Sequence, residues 1–231
     1  MTSTYIKDKD IIDNEISPFL DEFFYNKPFN LGTISKSVTF QRVTDKELQN
    51  KGVDGYLKDG IAVDEKIATH YVNSKLNTFA FEMSYVKNNK ILDGWLFGDK
   101  YSETIYYVLG YVECKNVKEK DWRNIKRDNI EQIDLIFVKK ESIHNFLRLF
   151  DITKENYLEQ SQNIREYLVK NKTKFIEKNT ETNRISWILS QKNNYNEEPL
   201  NILIDKSNLC ELAQYCFKVT RNQIKMVDKI N

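Results

Sequence analysis

The chain has 231 residues, enough for one large or two small domains, and 40% of them are hydrophobic and 13% aromatic. That much apolar surface excludes a wholly disordered chain, and no run approaches the roughly eighteen apolar residues of a membrane span. Basic and acidic residues stand at 35 and 34, a formal charge of +1, which excludes a uniformly basic nucleic-acid binder but not a local basic face.

In chain order, residues 8–25 read as a helix, with Ile12, Ile16, Phe19, Leu20 and Phe23 at helical spacing and Pro18 inside the pattern as a sign of a kink or an earlier start. Residues 34–43 read as a strand rich in β-branched and aromatic residues, and residues 44–52 hold at most one helical turn. Val53–Leu57 and Ile61–Ala68 are two short strands around Lys58-Asp59-Gly60, a strong hairpin turn. Residues 78–86 and 104–113 add two more strands. Strands at 133–138, 185–189 and 200–204 follow, with helices expected at 143–150, 154–178 and 208–217, and with Ser142 and Ser207 as N-caps. The tail after Thr220 is polar and expected to fray.

Chemistry concentrates in the hairpin. A two-residue Asp59-Gly60 loop would put Asp54 and Asp64 on opposite faces, whereas a three-residue Lys58–Gly60 loop sets Asp54 opposite Asp64. The three-residue loop is the expectation, because it separates Asp54, Asp64, Lys66 and two small alanines, Ala62 and Ala68, from Val63 and Ile67. In the next strand, Phe79, Phe81, Met83 and Tyr85 alternate with Ala80, Glu82 and Ser84, so Glu82 also lies on a face of small residues. If the two faces are continuous, three carboxylates and one lysine converge. Two like charges about 4 Å apart repel by roughly 4 kcal/mol at an effective dielectric of about 20. A divalent cation relieves that repulsion, and oxygen-only ligands select Mg2+ or Mn2+. The ordinary alternative is a solvated strand face with an Asp–Lys ion pair.

At these residues the sequence resembles the PD-(D/E)XK superfamily of restriction-endonuclease-like nucleases. The matching stretch is Gly52-Val53-Asp54, a hairpin, then Asp64-Glu65-Lys66. The family core is a helix followed by a mixed sheet whose second and third strands carry the motif. Phe79-Ala80-Phe81-Glu82 followed by Gly94-Trp95 is similar to a group of bacterial and phage members, and the resemblance covers about residues 8–113. Val53 stands where a proline often precedes the first aspartate. The resemblance implies catalytic roles for Asp54, Asp64 and Lys66. Asp54 and Asp64 would hold the metal, the carbonyl of Glu65 would complete the shell, Lys66 would assist the attacking water, and Glu82 would be an additional ligand.

Two stretches are candidates for nucleic acid. Lys115, Lys118, Lys120, Arg123, Lys126 and Arg127 surround Trp122, a basic loop with an aromatic residue suited to phosphate and base contact; the competing reading is a solvated connector whose tryptophan packs back on the core. Lys170, Lys172, Lys174 and Lys178 form a second cluster, read as a solvated helix face. His70 and His144 lack metal-ligand spacing, and Cys114, Cys210 and Cys216 read as small buried hydrophobes of a reduced, cytoplasmic chain with no secretory signal. No nucleotide-binding glycine motif is present.

The sequence therefore predicts a single α+β domain over 1–231, a helix followed by a central mixed sheet of the restriction-endonuclease-like type. Its core spans about 8–113, and a helix-rich C-terminal half over about 130–220 packs on or extends the same sheet. The expected function is Mg2+-dependent hydrolysis of phosphodiester bonds as an endonuclease of phage or bacterial defence or replication. DNA is the expected partner, no membrane is involved, and a homodimer is an open assembly state. A catalytically inactive nuclease fold that binds DNA or protein is the alternative.

Overall fold

The computed structural model describes residues 4–31, 34–190 and 197–227, so both ends of the expected 1–231 domain lie outside the described residues. The chain opens with α1 (Thr4–Ile11) and α2 (Ser17–Phe23), joined by a π-helical turn over Ile12–Ile16. The Ser17 N–H reaches back five residues to Ile12 O. Pro18, which has no N–H to give, follows at once, so the wide turn absorbs the break without bending the segment out of the fold. Ile16, Phe19 and Leu20 form the buried face of this segment.

A small hairpin, β1 (Pro28–Leu31) and β2 (Ile34–Ser37), comes next, then β3 (Phe40–Arg42), so the single strand expected at 34–43 is two strands in different sheets. The short helix α3 (Lys46–Asn50) is capped by Asp45, whose carboxylate accepts the Glu47 N–H at 2.7 Å. The hairpin strands β4 (Gly55–Leu57) and β5 (Ile61–Ile67) follow, then β6 (Thr78–Lys87), β7 (Lys90–Asp93) and β8 (Tyr106–Cys114). After β9 (Ile130–Lys139) come α4 (Lys140–Arg148), α5 (Tyr157–Lys170), β10 (Phe175–Asn179), β11 (Arg184–Leu189), β12 (Glu198–Asp205), α6 (Lys206–Leu212), β13 (Tyr215–Val219) and β14 (Ile224–Val227).

The larger sheet has seven strands in the order β14-β13-β9-β8-β5-β4-β3, antiparallel throughout except for β5 and β8. A parallel pair needs a long crossover. Residues 68–105 supply it, and they carry β6 and β7 out of the first sheet into a second of five strands, β10-β11-β12-β6-β7. The core expected over about 8–113 is therefore not one local sheet: β6 pairs with β12, more than a hundred residues downstream. Its large apolar residues fill a core from either sheet, so alternation alone does not fix the partner.

Two cores result. α2 covers one face of the larger sheet, packing Phe19, Leu20 and Phe24 against Val63, Val108, Leu135 and Phe137. The second sheet with α4 and α5 covers the other, packing Phe81, Met83, Ile143, Leu147 and Ile202 against Tyr107, Leu109, Ile136 and Val138. β8 feeds both cores with alternate residues, which is why it reads as a continuous apolar run.

The C-terminal half is corrected most. Among the described residues it contributes six strands, β9 to β14, and three helices, so the helix-rich half expected is a mixture in which strands outnumber helices. The predicted helix 154–178 stops at Lys170 because Lys172 turns left-handed (φ 52°), and Phe175 begins a strand. The predicted helix 208–217 ends at Leu212, and Tyr215-Cys216-Phe217 is strand. Ser142 and Ser207 lie inside their helices; the cap positions belong to Lys139 and Asp205. The polar tail is paired to Val227, with Phe217 opposite Met226. No helix among the described residues is long and apolar enough to cross a membrane.

Candidate active site

Hairpin register decides the site. Gly55 pairs with Val63, Tyr56 with Ala62 and Leu57 with Ile61, which leaves Lys58–Gly60 as the loop. The three-residue loop is thus the one formed, and both Asp59 (φ 66°) and Gly60 (φ 75°) are left-handed. Asp tolerates that conformation better than most residues. The paired register ends at Gly55 and Val63, and Asp54, the residue before Gly55, lies close enough to Asp64 for its charge to bear on the Asp64 carboxyl.

Asp54 is held at three points. Its N–H donates to Val63 O at 2.8 Å, its carbonyl accepts from the Val43 N–H at 2.9 Å, and its Oδ2 accepts from the Glu65 N–H at 2.8 Å. The last contact marks where β4 stops pairing with β5: a side chain takes the place of the next ladder partner. Along a strand the N–H and C=O of one residue share an edge, so the Glu65 carbonyl is turned to the same edge as Asp54.

Asp64 is 1% exposed. Lys66 Nζ donates to its Oδ1 at 2.5 Å, and its Oδ2 is buried with no hydrogen-bond partner. Burial pushes its carboxyl up to about 7, Asp54 beside it adds repulsion, and the Lys66 ammonium pulls the other way without winning. Lys66 is held above its ordinary value by Asp64 and Asp54 despite burial, and its Nζ lies 5.3 Å from the Trp95 ring centroid. The left-handed Gly52 closes the same corner: a Cβ there would lie 3.2 Å from Asp64 Oδ2, 3.1 Å from Thr104 Oγ1 and 3.0 Å from the Tyr101 ring. Thr104 Oγ1 donates to Gly52 O at 2.8 Å and fixes that approach.

The Glu65 side chain points to the opposite face. Tyr25 Oη donates to its Oε1 at 2.5 Å, and Arg42 pairs with its Oε2 while also holding Asp21. Only the main-chain carbonyl of Glu65 is available to a metal. Glu82 is also placed differently from the expectation. It stands in the second sheet and is pushed up to about 7 by burial and by Glu197, with Lys66 and the Trp95 main chain acting against both. A register shift in β12 opposite Glu82 and Ser84 breaks the alternation, so Met83 and Ser84 are both buried. The expected three-carboxylate cluster is therefore a pair, Asp54 and Asp64, with Glu82 reached through Lys66. Among the described residues no group of three His, Cys, Asp or Glu converges on a metal position.

Sequence reasoning passed over Tyr101, Thr104 and Lys140. Lys140 is 9% exposed and its Nζ donates to Tyr101 O at 2.7 Å. A lysine opening a helix looks like a solvated residue; only the tertiary fold buries it.

The basic stretch lies elsewhere. Asp64 is in register with Tyr107, and β8 runs on to Cys114. At about 3.3 Å per residue that separates residues 115–127 from the carboxylate pair by roughly 23 Å. Trp122 is 6% exposed and cannot offer its ring to a base; it stacks on His70 at 4.0 Å, with the Arg123 guanidinium 4.6 Å over it. Lys126 bonds Glu15 at 2.8 Å and Arg127 pairs with Glu22. Lys115, Lys118 and Lys120 are exposed, the latter two lining an open hollow of about 490 Å³ with His70, Glu119 and Trp122. His144 stacks on Phe97 and bonds the Leu96 carbonyl at 2.9 Å. Compared with family models, curated proteins and solved structures, the chain matches none.

The two faces of β5 respond oppositely to mutation. A carboxyl raised in the fold favours folding while protonated, and that contribution is lost as pH rises from about 4 through about 7. Asp64→Asn should therefore raise the melting temperature of the metal-free protein at pH 8 and change it little at pH 5. Glu65→Ala, which strands Tyr25 Oη and one side of Arg42, should cost about 2–3 kcal/mol in urea unfolding. An Asp64→Asn protein destabilised at pH 8 would contradict this account of the charge.

Proposed function

We propose that the chain is a metal-dependent phosphodiester hydrolase of the PD-(D/E)XK type that acts on DNA. The observation that carries the reading is the hairpin register, which sets Asp54, Asp64 and Lys66 on one face with an Asp64 oxygen buried and unpartnered. The order of strands supports it: β3, β4 and β5 run consecutively across the sheet behind the N-terminal helices, Asp54 enters the second, and Asp64 and Lys66 lie on the third. The donor set is the Asp64 carboxylate, the Asp54 carboxylate and the Glu65 carbonyl, all hard oxygens suited to Mg2+ or Mn2+. A bound Mg2+ supplies Lewis-acid stabilisation of a phosphoryl group and lowers the pKa of water.

The chain's own residues do the rest. Lys66, kept charged by two carboxylates, neutralises negative charge that develops on the phosphate and orients the attacking water. Trp95 covers one side of that ammonium and restricts solvent. Lys115, Lys118 and Lys120 contact the nucleic-acid backbone away from the cut. A site about 23 Å off corresponds to roughly seven phosphate steps along one strand.

Supercoiled, linear and single-stranded DNA and RNA incubated with the purified protein test the reading. DNA cleavage should require Mg2+ and fail in EDTA, and Ca2+ should support binding with little cleavage. Lys66→Ala should lose on the order of a hundredfold in rate at saturating Mg2+. Binding of DNA without cleavage under Mg2+ would favour the inactive-fold alternative. Neutralising Lys115, Lys118 and Lys120 together should flatten the log–log salt dependence of duplex binding, by about 0.9 in slope for each phosphate no longer neutralised. An unchanged slope would assign these residues to solvent.

A further inference from the structure

Lys140 is the first residue of α4, directly after β9. Its main-chain N–H donates to Ile105 O at 2.9 Å and its Nζ to Tyr101 O at 2.7 Å. An ammonium carries three donors, so this bond uses one. The neighbouring carboxylates are engaged elsewhere: Asp64 holds Lys66 and Asp99 holds Lys154. Lys140 forms no ion pair among the described residues. A buried ammonium without a counter-ion is costly, and proteins seldom keep one unless an anion arrives.

Its surroundings belong to the candidate site. Tyr101, whose carbonyl takes the Lys140 Nζ, lays its ring against Gly52, where Asp64 Oδ2 and the Thr104 hydroxyl also converge. The charged and titratable groups that face Lys140 are Asp64 from β5, Lys154 from the segment after α4, and His144 one turn along α4. Lys66 cannot supply a second independent cation without leaving Asp64.

We propose that Lys140 is a second substrate-binding cation of this site, its remaining donors taking a non-bridging phosphate oxygen of the phosphodiester. The proposal rests on the reading of the site as a phosphodiester hydrolase. Burial pushes Lys140 down to about 8, with Lys154 adding to the effect and Asp64 opposing it. The ammonium is therefore lost as pH rises past that value, whereas an arginine in its place stays charged.

The test uses bis(p-nitrophenyl) phosphate with Mg2+, followed from pH 6.5 to 9.5 for wild type, Lys140→Met and Lys140→Arg, with melting temperatures recorded. kcat/KM reports the free enzyme. For wild type it should fall above a pH near 8, and for Lys140→Arg it should stay level. Lys140→Met should raise KM about tenfold, change kcat little, and lack the descending limb. A Lys140→Met protein with wild-type KM and pH profile would overturn the proposal. So would loss of activity in Lys140→Met that Lys140→Arg does not restore, because Lys140 would then be only a latch for the Tyr101 carbonyl. If neither variant folds, a wild-type profile without a limb near pH 8 overturns it equally. Absence of any Mg2+-dependent hydrolysis by wild type would remove the reading of the site, and this proposal with it.

Discussion

A carboxylate buried to 1% exposure, with one oxygen on a lysine and the other on nothing, can be sustained only by a backbone that leaves it no alternative. In this chain that backbone is the β4–β5 hairpin. Three residues in the loop, not two, bring Asp64 beside Asp54 and turn Val63 and Ile67 to the helix-covered core. A slip of one residue would reverse every side chain on β5 and bring Glu65, now bound to Tyr25 and Arg42, to the site. The Tyr25–Glu65–Arg42 contacts and the Asp54–Glu65 main-chain bond therefore act together: one anchors the back of β5, the other its edge.

The site also depends on two sheets meeting. β5 supplies Asp64 and Lys66 from the larger sheet, while Glu82 and Trp95 approach from β6 and the segment after β7 in the second. Gly94 lets that segment approach, since a Cβ there would lie 2.3 Å from Glu82 O. The connection that makes β5 and β8 parallel is thus the same stretch of chain that walls the site. It sets the Trp95 ring beside the half-buried Lys66 and brings Tyr101 and Thr104 to Gly52.

Local signals carried the hairpin, its loop length, the face shared by Asp54, Asp64 and Lys66, and the N-terminal helix. Each of these is set within about twenty residues by periodicity or turn chemistry. What the sequence did not reveal was set at long range. β6 leaves the first sheet for β12, and nothing in Phe79–Val86 marks that choice. Phe175 and Tyr215–Phe217 sat in apolar patterns that fit helix or strand, and cross-strand partners decided for strand. Trp122 looked like a base-stacking residue because its loop is basic, yet packing on His70 and the N-terminal core claims it. Lys140 gave no signal at all, since its burial comes from Tyr101 and α4 rather than from its neighbours in sequence.

Calorimetric titration of Mn2+ into the metal-free protein at pH 7.5 tests the central claim most directly. It needs no substrate and reads the carboxylate pair itself. One saturable site should appear in wild type, weaken at least tenfold in Asp64→Asn, and persist in Lys66→Ala with little change. Equal binding by wild type and Asp64→Asn, or none by either, would contradict the assignment of Asp54 and Asp64 as a metal-holding pair.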